Sequence, residues 1–241
     1  MKKAIVFCCA GLFLAAGGAV PHLAAANKAA VYLVHGLPGQ DIGKTSALPV
    51  DITFNDVTRA KALKLAKVSA ALSFDPGSYS VKVYEAGTGG MTGAIPLITA
   101  TVVLGDAENA TVIIHLSAAK KAALSKFTND FSKVANGWAR FIVHHTASGS
   151  TLGPCLLNTR DEWGHPWYDA DGMDNGNKAL AEISPAYGAS YSFQVWEFDW
   201  DPATLFRKTV PVQANKVTLI YIIGTPKTDT FNIVTITKSV K

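Results

Sequence analysis

The chain has 241 residues, a formal charge of +4, 49% hydrophobic and 17% charged residues. That is ample apolar material for a packed core, and beyond the leader no run reaches the ~18 apolar residues of a membrane span. Basic and acidic residues are interspersed. Lys61, Lys64 and Lys67, and more loosely Lys120, Lys121 and Lys126, read as solvated edges, so no clustered basic face argues for nucleic acid.

In chain order, Lys2 and Lys3 precede an apolar stretch, Ala4 to Ala16, and then Ala24-Ala25-Ala26, an A-x-A cleavage pattern. This order is that of a secretory signal peptide over residues 1–26, and predicts a secreted or periplasmic product that does not span the membrane. Cleavage removes Cys8 and Cys9 and leaves Cys155 without an intramolecular partner.

Beyond the leader the chain repeats itself. "AVYLVHG" (30–36) returns as "ARFIVHH" (139–145), "GSYSVKVYEAG" (77–87) as "ASYSFQVWEFD" (189–199), and "TVVLGDAENATVIIHL" (101–116) as "TVPVQANKVTLIYII" (209–223). Three collinear matches at nearly constant offset divide the chain into units 27–133 and 134–241, joined near Phe131–Gly137. The matches also make His35 and His144 equivalents.

Within the first unit the spacing predicts strands at Val31–Val34, Val50–Phe54, Val68–Phe74, Tyr79–Tyr84, Leu97–Leu104 and Thr111–Leu116. Pro38-Gly39, Asp75-Pro76-Gly77, Gly87–Gly90 and Gly105-Asp106 break them. Ala118–Leu124 has the look of a short helical turn, and Arg59–Lys67 is ambiguous. The fold class predicted is all-β: two tandem antiparallel immunoglobulin-like β-sandwich domains after the signal peptide.

"VHGLPGQ…LPVDITFNDV", "ALSFDPGSYSVKVYEAGTG" and "DFSKVANGWARFIVHHTAS" resemble the domain of unknown function 4397 family. The resemblance implies exported bacterial or archaeal proteins built of immunoglobulin-like repeats, with no reaction attached. The second unit departs from the pattern. It has no obvious Val-Asp strand and carries the insertion "LNTRDEWGHPWYDADGMDNGN" at 157–177.

The same strand-then-His-Gly start, "VYLVHGLPGQ", also suggests the oxyanion loop of an α/β-hydrolase. No G-x-S-x-G elbow occurs in the chain, so the loop has no nucleophile to serve. A secreted enzyme using His35, Asp51 or the acidic loop is therefore the weakest reading. The six histidines contain no H-x-H or H-x₃-H pair to hold zinc or copper.

All five tryptophans fall in the second unit or its entry. Trp163, Trp167 and Tyr168 lie in the insertion; Trp196 and Trp200 lie at a strand end among Glu197, Asp199 and Asp201. Two readings stand: these rings plug one end of the sandwich, or they form a platform that stacks on a glycan or a protein partner. Asp169, Asp171 and Asp174 offer oxygen ligands for a structural calcium, without the twelfth-position Glu of an EF-hand; no other cofactor is called for. The function predicted is an exported, non-catalytic binding or cell-surface module. The alternative is a structural subunit that self-associates through edge strands, with "FNIVTITKSV" at the C-terminus as the segment to pair.

Overall fold

In this computed structural model the residues described are 26–89, 91–149, 151–158, 166–169, 172–184, 190–197 and 204–240. The signal peptide predicted at 1–26 therefore lies outside them, apart from Ala26. The described residues are all-β. The first unit contributes β1 (Ala29–His35), β2 (Val50–Phe54), β3 (Val57–Leu63), β4 (Lys67–Val68), β5 (Leu72–Phe74), β6 (Gly77–Glu85), β7 (Ile98–Leu104), β8 (Asn109–Leu116) and β9 (Ala122–Thr128). The second contributes β10 (Ala139–His145), β11 (Leu152–Asn158), β12 (Pro166–Asp169), β13 (Lys178–Ile183), β14 (Ser190–Glu197), β15 (Thr204–Pro211), β16 (Lys216–Ile223) and β17 (Asn232–Ser239). A four-residue 3₁₀ turn, Gly39–Ile42, comes directly after Pro38. No helix among the described residues is long and apolar enough to cross a membrane.

The strands form four sheets, two per unit. The outer sheet of the first unit runs β3-β2-β6-β7 and its inner sheet β4-β1-β8-β9, with β5 also on β1; the second unit repeats this as β12-β11-β14-β15 and β13-β10-β16-β17. Pairing is antiparallel with two exceptions that correct the expected all-antiparallel sandwich. β1 runs parallel to β8, and β10 runs parallel to β16. Of the two segments that looked helical or ambiguous, Ala118–Leu124 is a turn that leads into β9 at Ala122, and Arg59–Lys67 is the end of β3 and a turn to β4; β9 and β3 both lie at sheet edges.

Three apolar layers hold the stack together. Val31, Leu33, Ile52, Phe54, Val81, Val83 and Val112 fill the first sheet pair. Phe141, Val143, Leu152, Leu156, Tyr191, Phe193 and Ile220 fill the second. Between them a central layer joins the two inner sheets through Tyr32, Val34, Ile113, Ile142, Val217, Leu219, Tyr221, Ile223, Val234 and Ile236, with Phe131 and Val134 from the connection packed in. Strands β1, β8, β10 and β16 are thus buried on both faces, which is why "AVYLV", "TVIIHL" and "VTLIYII" do not alternate. β6, with one face toward solvent, does alternate along Tyr79–Val83.

Polar contacts fix how the two inner sheets sit. Gln40 donates to Asp229 at 2.8 Å and Thr230 to Asp41 at 3.0 Å. Arg140 lies buried and holds the connection to β13: it donates to Glu182 at 2.7 and 2.9 Å, to Asp130 at 2.8 Å and to Ser132 Oγ at 3.0 Å. Gly36 has no room for a side chain. A Cβ there would stand 2.6 Å from Ile223 of the second unit.

The free edges of the first outer sheet are blunted. β3 shifts register against β2 twice and carries Arg59 and Lys61, while Lys126 caps Val103 O on β7 at 2.9 Å. The C-terminal β17 pairs along its whole length with β16 inside its own sheet, and Ile233, Val234 and Ile236 are buried.

A shared central layer implies shared stability. Leu219→Ala, at a fully buried position in that layer, should cost about 2–5 kcal/mol. Calorimetry should show one transition, lowered as a whole; two transitions with only one displaced would contradict a common layer.

Candidate functional site

The His-Gly-Leu-Pro-Gly stretch is structural. Gly36 N donates to Ile114 O at 2.7 Å and Leu37 N to His35 Nδ1 at 3.3 Å, so the amides an oxyanion loop would offer are already used. His35 Nε2 reaches Leu48 O at 2.7 Å, and burial lowers its pKa, keeping the ring neutral. A Cβ on Gly39 would overlap the Thr45 carbonyl, so this turn is a packing feature.

Asp51 does not pair with His35. It sits on the outer face of β2, nearly inaccessible, and its two oxygens accept backbone amides: Ala62 N at 2.8 Å and Gly87 N at 2.8 Å. One carboxylate thereby gathers the end of β3 and the turn after β6. That turn covers Tyr84, the residue opposite Asp51, which is 8% exposed; a Cβ on Gly89 would meet both side chains at 3.2–3.5 Å.

The second unit places Gly153 where Asp51 stands and Trp196 where Tyr84 stands. The ladders match: Val50↔Glu85 and Asp51↔Tyr84 on one side, Leu152↔Glu197 and Gly153↔Trp196 on the other. Tyr191, Phe193 and Val195 point into the core, so Ser192, Gln194 and Trp196 line the outer face. They are linked in series. Trp196 Nε1 donates to Gln194 Oε1 at 3.2 Å, and Gln194 Nε2 donates to Ser192 Oγ at 3.2 Å. The indole is half-buried, with its polar edge already satisfied.

Of the other sequence-predicted aromatics, Trp167 and Tyr168 belong to β12, across β11 from β14. Backbone register puts Tyr168 opposite Leu156, two strand spacings (roughly 10 Å) and three residues from Trp196. Trp163 and Trp200 lie outside the described residues, as do Asp171, Asp199 and Asp201. Cys155 lies on β11 opposite Asp169 and Gln194.

The acidic loop has a structural employment that its sequence did not suggest. Asn175 Nδ2 donates to Ala147 O at 2.5 Å and to Leu116 O of the first unit at 3.0 Å. Asp174 accepts from Thr151 Oγ1 at 2.7 Å. Gly176 N and His145 O, and His145 N and Asn177 O, bind the loop to β10. Among the described residues no three His, Cys, Asp or Glu side chains converge as a metal site.

The histidine equivalence needs correcting. His145, not His144, matches His35: Ala147 N reaches His145 Nδ1 at 3.3 Å as Leu37 N reaches His35 Nδ1, and both rings face their own unit's core. His144 is one residue out of phase, so it points into the central layer. There it stacks on Tyr221 at 4.8 Å and 8° and lies 4.2 Å from Phe127. Neither ring nitrogen has a hydrogen-bond partner among the described residues. Burial, with Lys178 adding to it, pushes its pKa down to about 3. Phe127 and Lys178 also wall a groove of about 640 Å³ between β9 and β13.

A family model described as a domain of unknown function, DUF4397, matches residues 29–151, from the start of β1 to the residue before β11. The chain belongs to the DUF4397 family. The matched span contains the Val-Asp strand, the Arg140 clamp and both His35 and His145. No curated protein matches the chain by sequence. Among solved structures, a family CBM26 module of Eubacterium rectale Amy13K in complex with maltoheptaose is similar at 14% identity, with 89% of this chain and 97% of that one covered and a TM-score of 0.26. A candidate cell adhesion protein of Bacteroides eggerthii is similar at 7% identity, with 90% and 97% covered and a TM-score of 0.27.

His144 makes stability depend on pH. The ring is neutral when folded and titrates near 6.5 when unfolded, so its contribution is complete above pH 6.5 and is lost as pH falls toward 3. The loss is on the order of 5 kcal/mol at its largest. His144→Phe keeps the stacking and removes two unpaired nitrogens; it should raise stability at pH 7 by about 1–2 kcal/mol and flatten the acid limb. Urea melts between pH 7 and pH 4 would show this, and an unchanged slope would refute it.

Proposed function

We propose that the chain is an exported, non-catalytic binding module of two immunoglobulin-like units, and that the outer face of the second unit contacts a glycan or a protein partner. The observation that carries this reading is the contrast between Tyr84 and Trp196. In the first unit Asp51 draws a turn over the ring; in the second Gly153 provides no carboxylate, and the indole stays half-exposed on the outer face of the sheet. A flat ring whose N–H is already bonded offers its face, the part that stacks on sugar rings or on apolar partner surfaces. Placement of Trp167 on the same sheet supports a common platform, whereas Tyr168, in register with the core residue Leu156, is out of phase with Trp196. Occupation of the candidate catalytic groups by structural bonds supports a non-catalytic role: His35 holds Leu48 O, Asp51 holds two amides, and Asp174 holds Thr151.

The test is a titration of the protein with a panel of soluble polysaccharides, monitored by tryptophan fluorescence. A saturable shift with one glycan is expected, with affinity lowered at least tenfold by Trp196→Ala and unchanged by Tyr84→Phe. If Trp196→Ala, folded as judged by its melting temperature, binds glycans and surface proteins as the parent does, the platform is wrong.

A further inference from the structure

One end of the first unit combines features that neither the family nor the platform uses. The turn between β6 and β7 lifts two apolar side chains clear of the protein: Ile95 is 87% exposed and Met91 63%. Hydrogen bonds tie the described residues of this turn together. Thr88 N bonds Glu85 O, Met91 N bonds Thr88 O, Ala94 N bonds Met91 O and Leu97 N bonds Val83 O. The Asp51 carboxylate binds this turn through Gly87 and, through Ala62, the segment that carries Lys61 and Lys64. Lys61 and Lys64 are exposed and make no ion pair among the described residues. Lys44, nearby, is paired with Glu85 at 2.6 Å. Beside Lys64 an apolar hollow of about 340 Å³ opens over Ala47, Pro49 and Leu65.

We propose that this end docks on an anionic lipid surface, Met91 and Ile95 entering the interface and Lys61 and Lys64 lying at the headgroups. The shape favours lipid over a protein partner. A protein hot spot is a desolvated ring packed into a complementary pocket, whereas a convex tip with two aliphatic chains and flanking lysines suits a fluid interface that closes around it. Free cations beside the apolar tip complement anionic headgroups. The inference does not rest on the Trp196 platform.

Vesicle sedimentation with the full chain tests it. Binding to phosphatidylcholine vesicles containing 30% phosphatidylglycerol is expected, falling at least tenfold in pure phosphatidylcholine and in 0.5 M salt. Ile95→Ser with Met91→Ser, at sites too exposed to matter for folding, and separately Lys61→Glu with Lys64→Glu, should each lower binding at least tenfold at unchanged melting temperature. Trp196→Ala should leave it intact, which separates this surface from the platform. No binding to anionic vesicles, binding unaltered by the tip variants, or equal binding to neutral vesicles would overturn the proposal. Capture of a surface protein through the tip without vesicle binding would overturn it too.

Discussion

The burial of the two inner sheets against each other is the constraint on which the rest depends. Each inner sheet already covers its own core with one face, so packing the other faces together leaves β1, β8, β10 and β16 without a solvent side. Such strands must be apolar throughout, and any polar group in them must find a partner or stay neutral. His115 meets the requirement by bonding Leu116 O and Ser125 Oγ, each at 2.8 Å. Thr111 meets it by donating to Asn129 Oδ1 at 3.1 Å. His144 does not, and its suppressed protonation is the consequence of placing an imidazole where stacking on Tyr221 is its main contact. The connection between the units is held under the same rule: Phe131 and Val134 enter the layer while Arg140 binds the neighbouring Asp130 and Ser132.

Duplication then lets one framework carry two different surfaces. The outer sheets have equal strand order and equivalent ladders, so a single exchange is read cleanly. With aspartate at the position, two amides are bound and a turn is drawn over the neighbouring ring, so the first unit covers Tyr84 while projecting Met91 and Ile95 beyond its end. With glycine, no such acceptor exists, and the larger ring of Trp196 lies beside a position with no side chain. The polar end of the indole is carried by Gln194, itself buried on what is otherwise an outward face.

Much of this architecture was legible because it is written in periods and breakers. The repeat, the all-β class and the breaks at Pro38-Gly39 and Asp75-Pro76-Gly77 come from spacing alone, as does the alternation of Tyr79 to Val83. The errors have a common origin. A strand buried on both faces has no alternation to show which residue faces where, so matching the "VH" pairs put His144 in the place of His145. Those same continuous apolar runs are the mark that a central layer leaves in the sequence. β9 and β3 were missed or left ambiguous because edge strands rich in Ala and Lys have little β character of their own; pairing to β8 and β2 makes them strands. Asp51 could be seen as part of a Val-Asp motif, but its role lies in amides 11 and 36 residues away, which no local pattern reveals. Asn175 likewise acts at a distance: its amide nitrogen reaches across to Leu116 O, 59 residues away in the chain.

The central layer also sets what the two proposed surfaces can do together. Sheets packed face to face are about 10 Å apart, so a stack of four holds the second outer face roughly 30 Å from the first. A flexible linker would let the two surfaces wander, and the gain from joining them would decay with linker length. Here the connection is packed into the core and its polar residues are clamped by Arg140, so that geometry is part of the fold. A protein seated by the tip of its first unit would thus present the Trp196 face at a fixed height and angle to the surface beneath it. Binding a ligand there would cost no ordering of one unit against the other, because folding has already supplied that order.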